Sequence, residues 1–188
     1  MIKAVKDHFL VHFPGDMVLK HWDHHFSNSY TEELDIQDHK FVFRKFSMED
    51  VDKCAELYKE VFSDYPWYDV WDTSTQVKKY LIELIKNPTF EGFVAFEDKE
   101  VVAVCFGRKR SWWMGNEFFI DEFFVSNEKQ GNGIGTELMN FVKDSLRKEG
   151  YKRLTLLTNK GIPAEEFYFK NGFYNNKNRI VMVNEFYD

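Results

Sequence analysis

The sequence predicts an α/β (α+β) fold, a mixed and mostly antiparallel central sheet flanked by helices, and three features predict it. Two helical patterns with apolar faces come first, over residues 51–61 and 75–86. Three strand-like runs rich in aromatic and β-branched residues follow without an intervening helix, at 92–97, 101–110 and 117–125, which favours antiparallel pairing. A glycine-rich turn then opens a helical pattern that is followed by a further apolar run, the signature of a parallel crossover.

Lys40 to Phe46, "KFVFRKF", reads as a short strand. Ser47 and Asp50 then stand in a capping-box-like S-x-x-D spacing, so a helix begins there. Val51, Cys54, Leu57, Tyr58 and Val61 line one face of it until "SDYP" breaks the pattern. Val77, Tyr80, Leu81 and Leu84 form the buried face of a second helix over 75–86, stopped by Asn87-Pro88. The runs 92–97 and 101–110 meet at Asp98-Lys99 as a hairpin. Ile134, Leu138, Phe141, Val142 and Ser145 mark a helix that Gly150 ends, and "RLTLLT" at 153–158 reads as a strand buried on both faces. Pro163 opens a short helix to Asn171, closed by Gly172, and "RIVMVNEFY" at 179–187 reads as a last strand.

Composition narrows the functional classes. The chain has 188 residues, 44% hydrophobic and 18% aromatic with 20 phenylalanines, enough for a sizeable core and contrary to disorder. Its formal net charge of −6 gives no general basic field to attract nucleic acid or an anionic membrane, and favours a cationic small partner. Cys54 and Cys105 are too few and too isolated for a disulfide framework. No apolar stretch approaches the ~18 residues of a spanning helix, so a cytoplasmic protein is expected. The first 39 residues hold all six histidines and read as an N-terminal extension to a domain over 40–188. His21, Asp23, His24 and His25 in "HWDHH", or His8 with His12, could hold a metal, but the spacing is permissive and no metal is expected. The extension is expected to pack on the domain or on a partner subunit. "GRKRS", 107–111, reads as the solvated end of a hairpin strand.

The turn "QGNGIG", 130–135, carries the chemistry. A dinucleotide-binding fingerprint needs its third glycine one residue later, and a P-loop needs a lysine that is absent. What remains is a strand, a glycine turn and a helix mouth, where bare backbone N–H groups and the helix dipole suit an anion such as a pyrophosphate. Gln130-Gly131-Asn132-Gly133-Ile134-Gly135 resembles the Q/R-x-x-G-x-G/A acetyl-CoA signature of the GCN5-related N-acetyltransferase (GNAT) superfamily. "PAEEFYFKNGF", 163–173, resembles that family's second signature, and the element order matches from about Lys40 to Asp188.

The resemblance implies a GNAT acyl-CoA N-acyltransferase fold and an enzyme moving an acetyl group from acetyl-CoA to a primary amine. Strands 117–125 and 153–158 would splay, with the backbone of Phe123 and Val125 meeting the pantetheine arm. The N–H groups from Gly131 through Thr136, including Asn132, Gly133, Ile134 and Gly135, would hold the pyrophosphate beside Gln130. Asn159 resembles an asparagine that many members direct at the cofactor. Tyr168 stands where many members carry the acid that protonates the departing thiolate; a phenol of pKa ~10 suits that role for a thiol of ~8.5.

An acceptor amine of pKa ~10.4 costs roughly 4.6 kcal/mol to deprotonate at pH 7, so a base is needed. Asp121 and Glu122 in "FIDEFFV" are the candidates, in a run resembling that of polyamine acetyltransferases. Strand alternation puts them on opposite faces unless a bulge intervenes, and Asp121 is slightly favoured. The position where histone-type members hold a base corresponds to Phe119, which cannot accept a proton. Between the first two helices, "FSDYPWYDVWD" brings Asp64, Trp67, Asp69, Trp71 and Asp72 to the expected acceptor side, suited to a cationic amine. A polyamine, an aminoglycoside or a peptide N-terminus would all fit. A sensor that binds acetyl-CoA without turnover is the rival reading, and a homodimer is the assembly the resemblance suggests.

Overall fold

The computed structural model describes residues 41–186. The histidine-rich extension, with its two candidate metal clusters, lies outside the described residues. Five strands form one sheet in sequential order: β1 (Val42–Lys45), β2 (Phe90–Glu97), β3 (Glu100–Trp112), β4 (Gly115–Val125) and β5 (Arg153–Leu156). The first four pair antiparallel and β4 pairs parallel to β5. Helices α1 (Val51–Phe62) and α2 (Ser74–Ile85) cover one face, and α3 (Ile134–Lys148) covers the other; α4 (Pro163–Lys170) follows β5.

The strands bury both faces, as their alternation requires. Val94, Val104, Phe106 and Phe124 pack with Cys54, Tyr58, Val61, Phe62, Val77 and Leu81 of α1 and α2. Phe93, Ala95, Ala103, Cys105, Phe118 and Ile120 pack with Ile134, Leu138, Met139, Val142 and Leu146 of α3. Each fully buried phenylalanine or leucine in these layers contributes about 1.5–3 kcal/mol. The β2–β3 hairpin turns at Asp98 and Lys99, both with positive φ (47° and 71°), the conformation that matches the sheet's twist.

Asp50 organises the start of α1. A short 3₁₀ turn, Met48–Asp50, runs directly into the helix. The buried Asp50 carboxylate accepts from the Ser47 backbone N–H at 2.9 Å and from both terminal nitrogens of Arg44 at 2.7 Å, closing the predicted capping box. The Arg44 guanidinium and that N–H hold the carboxyl below its ordinary range.

Two expectations fail at the C-terminal end. The run 153–158 is a strand only to Leu156, half-buried rather than covered on both faces, because it is the edge of the sheet. Residues 179–186 of the expected last strand form none. Ile180, Val181, Met182 and Val183 are 82%, 67%, 85% and 77% exposed; β-branched residues favour extended backbone, but a strand also needs a ladder partner.

Asp50→Ala should lower stability by about 1–2 kcal/mol at neutral pH in urea unfolding. Because the folded carboxyl titrates below the unfolded one, this contribution is complete above the ordinary value near ~4 and is lost as pH falls through the lower folded value, so variant and wild type should converge in acid.

Candidate active site

The parallel ladder between β4 and β5 stops at Ile120 and Leu156, while β4 runs on to Val125. From Asp121 onward β4 has sheet partners on the β3 side alone among the described residues. A cavity of about 450 Å³ opens at this parting, lined by Phe62, Trp67, Asp121, Glu122, Phe123, Leu157, Thr158, Asn159, Ala164, Tyr168 and Val181. That size suits a small-molecule site.

Both carboxylates reach one cavity because β4 is bulged. Phe106 faces Glu122 and Gly107 faces Ile120, so Asp121 is an extra residue without a partner of its own. The bulge shifts the strand's phase. Phe118 and Ile120 point to the α3 face, yet beyond the bulge Phe123 and Val125 do so, and Phe124 points to α1 and α2. Glu122 is thereby turned toward α2, where the Tyr80 hydroxyl donates to its Oε1. Gly107 makes the irregularity possible, since a Cβ there would sit 2.4 Å from the Phe119 carbonyl oxygen and 2.6 Å from the Phe118 ring.

The two carboxylates differ in environment. Asp121 pairs with Arg108, which opposes the upward push of burial without cancelling it. Burial raises Glu122 further, to about 7; the Tyr80 hydrogen bond pulls it down while the charges of Asp121 and Asp69 push it up. Arg108 and Arg110 also flank the Phe119 ring at 4.8 and 4.9 Å, and Arg110 approaches Glu117 at 3.4 Å. The stretch 107–111 is therefore partly committed to ion pairs and ring contacts, a correction to its reading as a solvated strand end.

Tyr168 enters the cavity from α4, its ring packed against Phe123, Phe167 and Phe173 at 6.4, 5.3 and 5.4 Å. Burial raises its phenol above the ordinary value, so it stays protonated at neutral pH.

At the glycine turn, Gly131 and Gly133 adopt positive φ (78° and 88°), with Gly133 capping α3. Gly135 serves packing instead: a Cβ would meet Phe167 at 3.2 Å and Val125 at 3.3 Å. As first residues of a helix, Ile134, Gly135 and Thr136 present N–H groups that no helical carbonyl reaches. The Asn132 N–H is turned back to the Lys129 carbonyl at 3.4 Å. The Gln130 side chain braces the loop, donating to the Val125 carbonyl at 3.1 Å and to Asn127 Oδ1 at 2.9 Å.

The acceptor-side candidates divide. Trp67 lines the cavity and packs against Phe62, ring centroids 5.4 Å apart. Trp71 turns inward against Tyr58 and Tyr80, at 5.7 and 5.8 Å. Asp64 is exposed, its Oδ1 accepting from the Tyr65 N–H at 2.7 Å. Asp69 is exposed and acts on Glu122 through its charge. Tyr58 and Tyr80 reach the site unforeseen; the one signal in the sequence is a tyrosine on an apolar helix face, whose hydroxyl must find a partner when buried.

No group of three or more His, Cys, Asp or Glu among the described residues could hold a metal, and no described helix is long and apolar enough to cross a membrane. A mixed sheet parted beside a glycine-opened helix is the arrangement that the sequence resemblance implies, and comparison with known proteins agrees. The acetyltransferase (GNAT) family model matches residues 51–173, and the chain belongs to that family. It is therefore an acetyltransferase of a family that uses acetyl-CoA. Among solved structures it resembles a possible acetyltransferase from Clostridium difficile 630, at 20% identity and TM-score 0.65, covering 78% of this chain and 99% of that one. It also resembles an aminoglycoside acetyltransferase from an uncultured soil metagenomic sample in complex with sisomicin, at 15% identity and TM-score 0.61, covering 80% and 99%. A third is aminoglycoside N-acetyltransferase AAC(6')-Iy in complex with CoA, at 13% identity and TM-score 0.62, covering 77% and 94%. A search of curated proteins finds no match.

Gly107→Ala should cost about 1–3 kcal/mol, read by urea unfolding, because the clash is with backbone oxygen and a packed ring rather than a flexible side chain.

Proposed function

We propose that this acetyltransferase moves the acetyl group of acetyl-CoA to the primary amine of a small cationic acceptor, by direct attack within a ternary complex. The observation that carries the reading is the meeting of a protonated phenol, Tyr168, and a carboxylate titrating at about 7, Glu122, in the cavity where β4 leaves β5.

The backbone of β4 from Asp121 to Val125, with Phe123 and Val125 foremost, would receive the pantetheine arm on its unpaired side. The N–H groups of Gly131, Gly133, Ile134, Gly135 and Thr136 would meet the pyrophosphate, with Gln130 holding the turn and Asn159 at the cavity wall. The departing group would be a thiolate, which Tyr168 would protonate. A backbone N–H near Val125 would polarise the thioester carbonyl.

Glu122 is the better base. Arg108 occupies Asp121, whereas Glu122 has a pKa matched to neutral pH and can take the ammonium proton before attack. The acceptor is drawn in by the carboxylates and the Trp67 face, and the two aminoglycoside-acetylating relatives support a small polyamine or aminoglycoside-like molecule. Residues 1–39 are proposed as an appendage to this domain, and a homodimer as its assembly.

Thiol release from acetyl-CoA with a panel of polyamines, aminoglycosides and peptides tests the activity; binding of acetyl-CoA without release across the panel would overturn it. Tyr168→Phe should lower kcat by about 10²-fold with acetyl-CoA affinity little changed. The wild-type kcat/KM should rise with pH through about 7 as Glu122 loses its proton, and Glu122→Gln should abolish that rise.

A further inference from the structure

The carboxylate proposed as the base does not stand alone. We propose that Tyr80 is a positioning residue for acetyl transfer, its hydroxyl holding the Glu122 carboxylate in place at the cavity wall. This rests on the reading of Glu122 as the base and adds the group that prepares it.

The geometry is specific. Tyr80 lies on the buried face of α2, between Val77 and Leu81, which are fully buried. Its ring is fixed between Trp71 at 5.8 Å and Tyr58 at 5.7 Å, so the phenol oxygen is placed by packing before any acceptor arrives. That oxygen donates to Glu122 Oε1. A glutamate side chain has three rotatable bonds, and one donor held in place by packing removes much of that freedom. Donation to the ionised form also favours it against burial.

Other groups bear on Glu122 from every side. Tyr58 of α1 adds a second phenol that favours the ionised form; Asp69, beyond α1, and Asp121, on β4, oppose it with their charges. Arg108 of β3 is engaged with Asp121, and Tyr168 of α4 feels the Glu122 charge across the cavity. Tyr80 is the strongest of the influences that keep the carboxylate available at neutral pH.

The test is the pH profile of kcat/KM for Tyr80→Phe, which keeps the ring and removes one oxygen. Loss of a hydrogen bond to a charged group should move the acid limb upward by about one unit and so lower the rate at pH 7 about 5-fold. The rate should recover toward wild type in alkali, with KM for acetyl-CoA unchanged. In the Glu122→Gln background the same substitution should add no further loss. A rate lowered equally at every pH, with the limb unmoved, would mark Tyr80 as structural and overturn the proposal. A wild-type profile in Glu122→Gln itself would instead sink the base assignment, so the two failures are separable. Independently of activity and of the fold of any Tyr80 variant, proton NMR of the wild type should show a slowly exchanging Tyr80 hydroxyl that is absent from Glu122→Leu, which removes both acceptor oxygens; its persistence there would also contradict the proposal.

Discussion

The chemistry proposed for this chain depends on one break in hydrogen bonding: β4 keeps β5 as a partner only as far as Ile120 and Leu156. A sheet interior satisfies every backbone group, so it can bind nothing through its ladder. Ending one ladder while the strand continues leaves backbone groups of Asp121 to Val125 on a sheet buried by two helical layers, beside a cavity of about 450 Å³. The helix mouth at Gly133 and Ile134 lies just beyond the same strand. In the proposed reading, a long thin cosubstrate lies along the parted strand with its charged end at that mouth.

The bulge at Asp121 gives the parting its chemical character. A regular β4 would turn Glu122 toward α3, among the side chains of Phe118 and Ile120. One extra residue, opposite a glycine where no Cβ fits, turns it toward Tyr80. The same residue separates two carboxylates in role: Arg108 takes Asp121, while burial lifts Glu122 into the range of a base at neutral pH. Neighbouring acids of one sequence dipeptide thus have different environments because the backbone between them is irregular.

Much of this was legible in the sequence, and the remainder was hidden for physical reasons. Helical spacing located α1, α2 and α3, and Pro163 with Gly172 bounded α4, because these signals act within a few residues. The glycine turn and the Phe167-Tyr168 run pointed to the family that the chain belongs to. Alternation could only leave Asp121 and Glu122 on opposite faces, since a bulge is decided by what Gly107 meets across the ladder. Likewise Gly135 read as a cleared approach for a ligand, whereas its neighbours Val125 and Phe167 come from two other elements, β4 and α4. Tyr80 read as core, which its ring is; its hydroxyl's partner lies 42 residues away. The run 179–186 had the composition of a strand without the edge to pair with.

In the proposed reading the parted strand and the helix mouth form one binding surface for coenzyme A. Amide hydrogen exchange of the full chain with and without CoA tests it most directly. Slowed exchange is expected at two places together, within 121–125 of β4 and within 131–136 of the glycine turn. Protection elsewhere with both segments unchanged, or protection of the turn alone, would contradict it.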